Sequence, residues 1–204
     1  MIGFTRGAAP SVLTPSRVQS WTARWVQRVG TRATSADFQW PTVDQRPLRD
    51  HLVGPLLALT ADHCAYCDGH PIDDTQTPQI DHFLPKVRHP EHAFAWANLY
   101  PSCSACNRAK GDHVTEGALL RPDEPDYAFE RYYVFDRRDG VVRPNPGASP
   151  ADRERARVTI ATLGINAGNR PKRRVAALLR AERDPDALLD DLPYRFVVAD
   201  ARGA

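Results

Sequence analysis

The four cysteines of this chain fall into two short motifs that could hold one metal ion. Cys64 and Cys67 form one C-x2-C pair, and Cys103 and Cys106 form a second. Each pair places two sulfur atoms on one side of a short turn, where backbone amides can offset thiolate charge. Two such pairs suit a tetrahedral zinc site. We therefore expect all four thiolates to bind one structural Zn²⁺, with a pair of disulfides as the alternative.

Residues able to hydrolyse a phosphodiester bond lie between and just after these pairs. The reaction needs an activated water, positive charge at the phosphate oxygens and in-line geometry, which a divalent metal ion and one imidazole can provide. Asp81 and Asn107 offer oxygen ligands that suit Mg²⁺ or Mn²⁺, and His82 offers the base. Since neighbouring strand residues point to opposite faces, Asp81 and His82 can approach one phosphate together only at a strand end or bulge.

Three basic residues near this set could contact a nucleic-acid backbone. They are Lys86, Arg108 and Lys110. Solvated surface charge is the alternative interpretation of each. The net charge of +2 is too small to indicate a nucleic-acid partner, so this prediction rests on where the cations lie in the chain.

The local sequence predicts a strand, a loop and a helix that position these groups. Residues 79–83 are a short strand-like run closed by Pro85, so the Asp-His pair sits at its end. Cys103 opens the turn into a helix that carries Asn107 and Lys110. A unit this small rarely buries enough apolar surface to hold a fixed geometry, which explains the need for a metal at both ends.

Helices are predicted before this central stretch. Thr14-Pro15 is a capping residue followed by proline at the first helical position, and the helix should run to Gly30. Leucines at helical spacing from Leu48 to Leu59 predict a second helix. We expect the Gly54-Pro55 step to kink or split it, because proline removes a backbone donor.

A hairpin and further helices are predicted after the central stretch. Residues 132–135 and 141–143 flank Asp139-Gly140, a dipeptide typical of tight hairpin turns. Ser149-Pro150 should cap one helix, and Asn169 with Pro171 should start a basic one. For residues 195–198 we expect either a strand or simple packing.

The ordered set C-x2-C, DHFLPK, WANL and C-x2-CN-x2-K resembles the HNH endonucleases, whose fold is a ββα-metal finger. The resemblance implies that His82 is the general base and that Asn98 braces the loop. It also implies that Asp81 and Asn107 hold the catalytic metal. Many members have histidine where this chain has Asn107, so Mg²⁺ or Mn²⁺ is expected here rather than the metal preference of histidine-rich sites. The cysteines match members that carry structural zinc.

We therefore expect an α+β chain in which a ββα-metal finger, stapled by a four-cysteine zinc site, lies between N-terminal helices and a C-terminal hairpin with helices. The expected divisions are an N-terminal helical segment at 1–60, the nuclease core at 61–125 and the C-terminal region at 126–204. More loosely, the flanks resemble the HNH proteins paired with ATPases in Septu-type and retron-linked phage defence. That resemblance implies a defence role and an ATPase partner.

The predicted function is a metal-dependent endonuclease acting on double-stranded DNA, with RNA as an alternative substrate. A catalytically silent zinc finger that binds nucleic acid or a partner protein is the competing hypothesis, and a purely structural zinc protein is a third. Only the enzyme needs a base and a second metal site.

A hydrophobic fraction of 42% with 25% charged residues is ordinary for a globular protein. No apolar run approaches a membrane span, and we expect a cytoplasmic location.

Overall fold

The structure is a computed structural model that describes residues 1–72, 78–112, 114 and 117–202. The helices are α1 (Pro15–Gly30), α2 (Leu48–Ala58), α3 (Ser104–Lys110), α4 (Phe129–Tyr132), α5 (Pro150–Thr162), α6 (Arg170–Arg183) and α7 (Arg195–Arg202). The strands are β1 (Thr42–Val43), β2 (Arg46–Pro47), β3 (Gln79–His82), β4 (Leu99–Ser102), β5 (Tyr133–Phe135) and β6 (Val142–Pro144). They form three antiparallel pairs in chain order, β1 with β2, β3 with β4 and β5 with β6.

The centre of the fold is the β3–β4 hairpin followed by α3. Asp81 lies opposite Tyr100 in the hairpin, and His82 lies opposite Leu99. The chain then turns at Cys103, whose side chain accepts a hydrogen bond from the Cys106 amide at the start of α3. This is the ββα arrangement that the sequence motifs predicted, and the expected mixture of helices and short strands is confirmed.

The hairpin is buried on both of its faces. Leu99 packs into an apolar cluster with Trp25 of α1 and Leu52 of α2. The next residue, Tyr100, points the other way into a cluster that includes Phe83 and Cys106. Since strand side chains alternate, the two flanking regions hold the hairpin from opposite sides.

The N-terminal helices agree with the sequence in position, with one correction. The Thr14 side chain accepts a hydrogen bond from the Arg17 amide at the start of α1, and α1 ends at Gly30 as predicted. Helix α2 runs without interruption through Pro55, so of the two expected outcomes, a kink or a split, the split does not occur. Leu52 and Leu56 are fully buried, and their packing offsets the roughly 3 kcal/mol that an internal proline costs.

The C-terminal region contains the predicted hairpin, closed by a longer loop than a tight turn. Phe135 pairs with Val142, so residues 136–141 form the connection. Gly140 adopts a positive φ of 72°, and a Cβ there would lie 2.1 Å from the Pro171 carbonyl oxygen, which only glycine avoids. The run that begins at Arg195 is helix α7 rather than a strand, and Phe196 and Val197 pack into the core, which was the other expected outcome. In the described part of the chain, no helix is long and apolar enough to span a bilayer.

Candidate functional site

The four cysteines meet at one point beneath the hairpin. Their sulfur atoms all lie within 4.8 Å of one another, and Cys67 Sγ is 3.8 Å from Cys103 Sγ. Zn–S bonds of about 2.3 Å in a tetrahedron imply S···S separations of about 3.8 Å. All four cysteines are free rather than paired in disulfides. The donor set and its spacing therefore fit a structural zinc ion.

Hydrogen-bond donors surround these sulfur atoms. The Cys103 amide donates to Cys64 Sγ at 3.3 Å, and the Cys106 amide donates to Cys103 Sγ at 3.5 Å. From the start of α6, the Arg170 guanidinium donates to Cys106 Sγ at 3.1 Å. Burial alone would lower the pKa of Arg170. Attraction by Cys106 and the other thiolates raises this pKa by a larger amount, so it lies above its ordinary value. Arg170 stays charged and offsets the negative thiolates. The residue types alone did not indicate this contact.

Asp81 lies in the interior, with both carboxylate oxygens engaged. Tyr66 donates its hydroxyl to Oδ2 at 2.5 Å, and Lys110 Nζ donates to Oδ1 at 3.0 Å. Lys110 also donates to the His82 carbonyl oxygen at 2.6 Å. Burial raises the pKa of Asp81, while the attraction of Lys110 opposes that rise. Each carboxylate oxygen has two acceptor sites, so one hydrogen bond on each leaves capacity for a further ligand.

The imidazole of His82 is fixed by the loop between the strands. Its Nε2 lies 2.9 Å from the Ala93 carbonyl oxygen, which can only accept a hydrogen bond. Nε2 therefore carries the hydrogen in the neutral ring, and Nδ1 keeps its lone pair. Burial, followed by repulsion from Lys86, lowers the pKa of His82 to about 3, and the bond to Ala93 opposes that shift. The neutral ring offers the Nδ1 lone pair as a proton acceptor, and the lowered pKa makes it a weaker base than a free imidazole.

Aromatic residues before α2 cover the imidazole. The Trp40 ring stacks on it with centroids 5.5 Å apart and an angle of 17°, and Phe38 meets it edge-on at 5.1 Å. His82 is only 6% exposed as a result. Ser35, in the same segment, donates a hydrogen bond to Asp112 just after α3 at 2.7 Å. The segment therefore lies across the ββα unit, which sequence reasoning did not foresee.

The Asn98 side chain forms hydrogen bonds that hold the loop between β3 and β4 in one conformation. Its Oδ1 accepts from the Leu84 amide at 2.7 Å, and its Nδ2 donates to the carbonyl oxygens of Leu84 and His92 at 3.0 and 3.1 Å. This loop also supplies the carbonyl of Ala93 that holds His82. Asn107 lies one turn before Lys110 on α3, so the same helix carries both residues.

The three predicted nucleic-acid contacts lie in different environments. Arg108 is exposed on α3. Lys86 is half-buried, with its ammonium 5.4 Å from the centre of the Phe38 ring, and burial lowers its pKa. Lys110 is 1% exposed and engaged with Asp81, so its ammonium faces the protein interior here. The nucleic-acid roles of all three remain predictions.

A comparison with known families identifies the class of domain that this geometry belongs to. Residues 64–113 match the family model described as HNH endonuclease. That range begins at the first cysteine of the site and takes in the hairpin and α3. The chain therefore carries an HNH domain built around its four-cysteine cluster.

Two curated proteins resemble parts of the chain. The Septu protein PtuB of Bacillus thuringiensis is 38% identical over 58 residues, which are 28% of this chain and 23% of that protein. Protein ea31 of Escherichia phage lambda is 33% identical over 100 residues, which are 46% of this chain and 31% of that protein. The chain thus spans less than one third of the length of either relative.

Proposed function

We propose that this protein is a metal-dependent endonuclease that hydrolyses phosphodiester bonds in DNA. The observation that carries the proposal is the fixed imidazole of His82, whose Nε2 is bound to the Ala93 carbonyl at 2.9 Å. Anchoring Nε2 leaves Nδ1 as the acceptor of the neutral ring at the end of a strand, which is the arrangement that a general base requires. The HNH match over residues 64–113 supports the same conclusion.

His82 acts as the general base in this proposal. Its Nδ1 takes the proton of the attacking water, and the Ala93 carbonyl stabilises the imidazolium that forms because it accepts from Nε2–H. The Trp40 ring restricts rotation of the imidazole, so the lone pair keeps its direction. Asn98 holds the loop that carries Ala93, so it acts as a positioning residue.

Asp81 and Asn107 are the residues that would hold the catalytic Mg²⁺ or Mn²⁺. A carboxylate and an amide oxygen are hard donors, which such ions prefer. When bound, the ion would supply positive charge at the phosphate oxygens. Lys110 fixes the Asp81-His82 pair by bonding both the carboxylate and the His82 carbonyl, so we assign it a positioning role beside its predicted contact with nucleic acid. Lys86 and Arg108 complete the proposed phosphate contacts.

A role in anti-phage defence, together with an ATPase partner, extends the proposal. Its support is the similarity to the Septu protein PtuB over 58 residues, together with the resemblance of the flanking regions. Purification of the chain from its native host and identification of co-purifying proteins tests the partner. Recovery of no ATPase would remove this extension and leave the nuclease proposal intact.

The experiment that tests the nuclease is a plasmid-nicking assay with zinc-loaded protein. Wild type should convert supercoiled DNA to nicked or linear forms with Mg²⁺ or Mn²⁺ but not with EDTA, and His82→Ala should not. Asp81→Asn and Asn107→Ala should raise the Mg²⁺ concentration needed for half-maximal rate. Equal nicking by wild type and His82→Ala would favour the catalytically silent zinc finger instead.

A further inference from the structure

A groove of about 400 Å³ opens between α1 and residues 39–42, next to the catalytic histidine. Its lining combines aromatic rings with two guanidinium groups. The principal residues are Trp21, Trp25, Trp40, Phe94, Arg24 and Arg28. The chain has four tryptophans, and this groove contains three of them.

The groove adjoins the proposed catalytic base directly. Trp40 is shared by the groove and the histidine site, because its ring lines the groove and also stacks on His82 with ring centroids 5.5 Å apart. Phe94, which lines the groove, follows Ala93, whose carbonyl holds the imidazole. Successive bases in a strand lie about 3.4 Å apart along the helix axis. A base in the groove would thus belong to a nucleotide within one or two steps of the scissile bond.

The rim of the groove carries positive charge. Helix α1 contains three arginines and no aspartate or glutamate. Arg24 and Arg28 are exposed, and within the described residues neither side chain forms a hydrogen bond or an ion pair. The Arg28 guanidinium lies 5.7 Å from the centre of the Trp25 ring and also attracts the Asp37 carboxylate. Core packing explains the buried positions of Trp21 and Trp25, but it does not explain two exposed guanidinium groups beside them.

We propose that this groove binds an unpaired nucleotide next to the scissile bond, and this rests on the proposed nuclease function. The partly exposed Trp40 ring suits the flat face of a base, and the guanidinium groups suit the adjoining phosphate oxygens. A base inside a duplex must leave its stack to enter such a groove, whereas a base in a bubble or a single strand does not. The preferred substrate is therefore DNA that is single-stranded or locally unpaired at the cleavage site.

The test compares three labelled substrates of one sequence: single-stranded DNA, a duplex with a central bubble, and a fully paired duplex. Wild type should cleave the first two with kcat/KM about tenfold above the paired duplex. Arg24→Ala/Arg28→Ala should lose most of that preference. Arg17→Ala/Arg138→Ala is the matched control, because it also removes two exposed charges, neither of which lines the groove. The control should keep the preference.

Equal cleavage of the three substrates by wild type, or an unchanged preference in the groove variant, would overturn the groove assignment while leaving the nuclease standing. If no substrate is cut, the affinity for each DNA substrate, measured without added divalent metal, tests the groove assignment instead. Unpaired DNA should then bind the groove variant about tenfold more weakly than the control. Equal binding of unpaired DNA by both variants would refute the assignment. The assignment would also be refuted if the groove variant lost binding of polyglutamate relative to the control while neither protein preferred unpaired DNA.

Discussion

Replacement of Lys110 by methionine tests whether the buried ion pair organises the strand end that carries Asp81 and His82. Methionine keeps much of the side-chain volume but removes the charge that lies 3.0 Å from Asp81 Oδ1. Removal of one partner from a buried pair costs about 3–5 kcal/mol, because the other charge stays buried without compensation. Asp81 keeps its hydrogen bond from Tyr66, which places the expected loss near the lower end. We expect the free energy of unfolding to fall by about 3 kcal/mol.

Denaturant unfolding of zinc-loaded protein, followed by tryptophan fluorescence, measures this loss. The double variant Asp81→Asn/Lys110→Met removes both charges and leaves neither one buried alone. Its loss in free energy of unfolding should therefore be smaller than the sum of the two single losses by at least about 2 kcal/mol. Lys172→Met on α6 is the control, since Lys172 is exposed, and it should change stability by no more than about 0.5 kcal/mol. Additive single losses, or a loss below about 1 kcal/mol in Lys110→Met, would refute the organising role.

Three further outcomes follow from the zinc site and the loop. Elemental analysis should find one zinc ion per chain, and Cys106→Ser should release it and unfold the finger, since such sites contribute on the order of 10 kcal/mol; a zinc-free folded protein would contradict this. Arg170→Gln should speed zinc loss to a chelator, because the thiolates lose the guanidinium that donates to Cys106 Sγ at 3.1 Å; an unchanged release rate would exclude that role. Asn98→Ala should cost about 3 kcal/mol, since three hydrogen bonds to Leu84 and His92 are lost, and hydrogen exchange of the Leu84 amide should accelerate. Unchanged protection of that amide would show that Asn98 is not the brace.

Much of the fold is predictable because its signals are local. The Thr14-Pro15 cap fixes the start of α1, and the C-x2-C spacing brings the sulfur atoms together. Two of the expected alternatives, a split of α2 and a strand near the C-terminal end, do not occur because tertiary packing overrode local chemistry. Pro55 does not split α2 because the leucines on either side of it are buried, and residues 195–202 form a helix whose aromatic and branched residues enter the core.

The partners of the site residues were less predictable because they come from distant parts of the chain. Trp40 stacks on His82 although 41 residues separate them in the sequence. Arg170 reaches the thiolate of Cys106 from another helix. Lys110 was predicted only as a nucleic-acid contact, because its helical spacing from Asn107 does not reveal that Asp81 lies against it. Tyr66 had a local signal, since it lies inside the first cysteine pair, where a side chain projects toward the hairpin.

The rate of DNA cleavage by His82→Ala tests the central claim most directly. The measurement is the single-turnover rate constant at saturating DNA and Mg²⁺, in preparations that contain zinc. His89→Ala is the matched control, because His89 lies in the same loop region but contacts Glu91 at the surface. Loss of a positioned general base should lower the rate constant by roughly 10²- to 10⁴-fold in His82→Ala, with His89→Ala close to wild type. Equal rate constants for wild type and His82→Ala would contradict the assignment of His82 as the base.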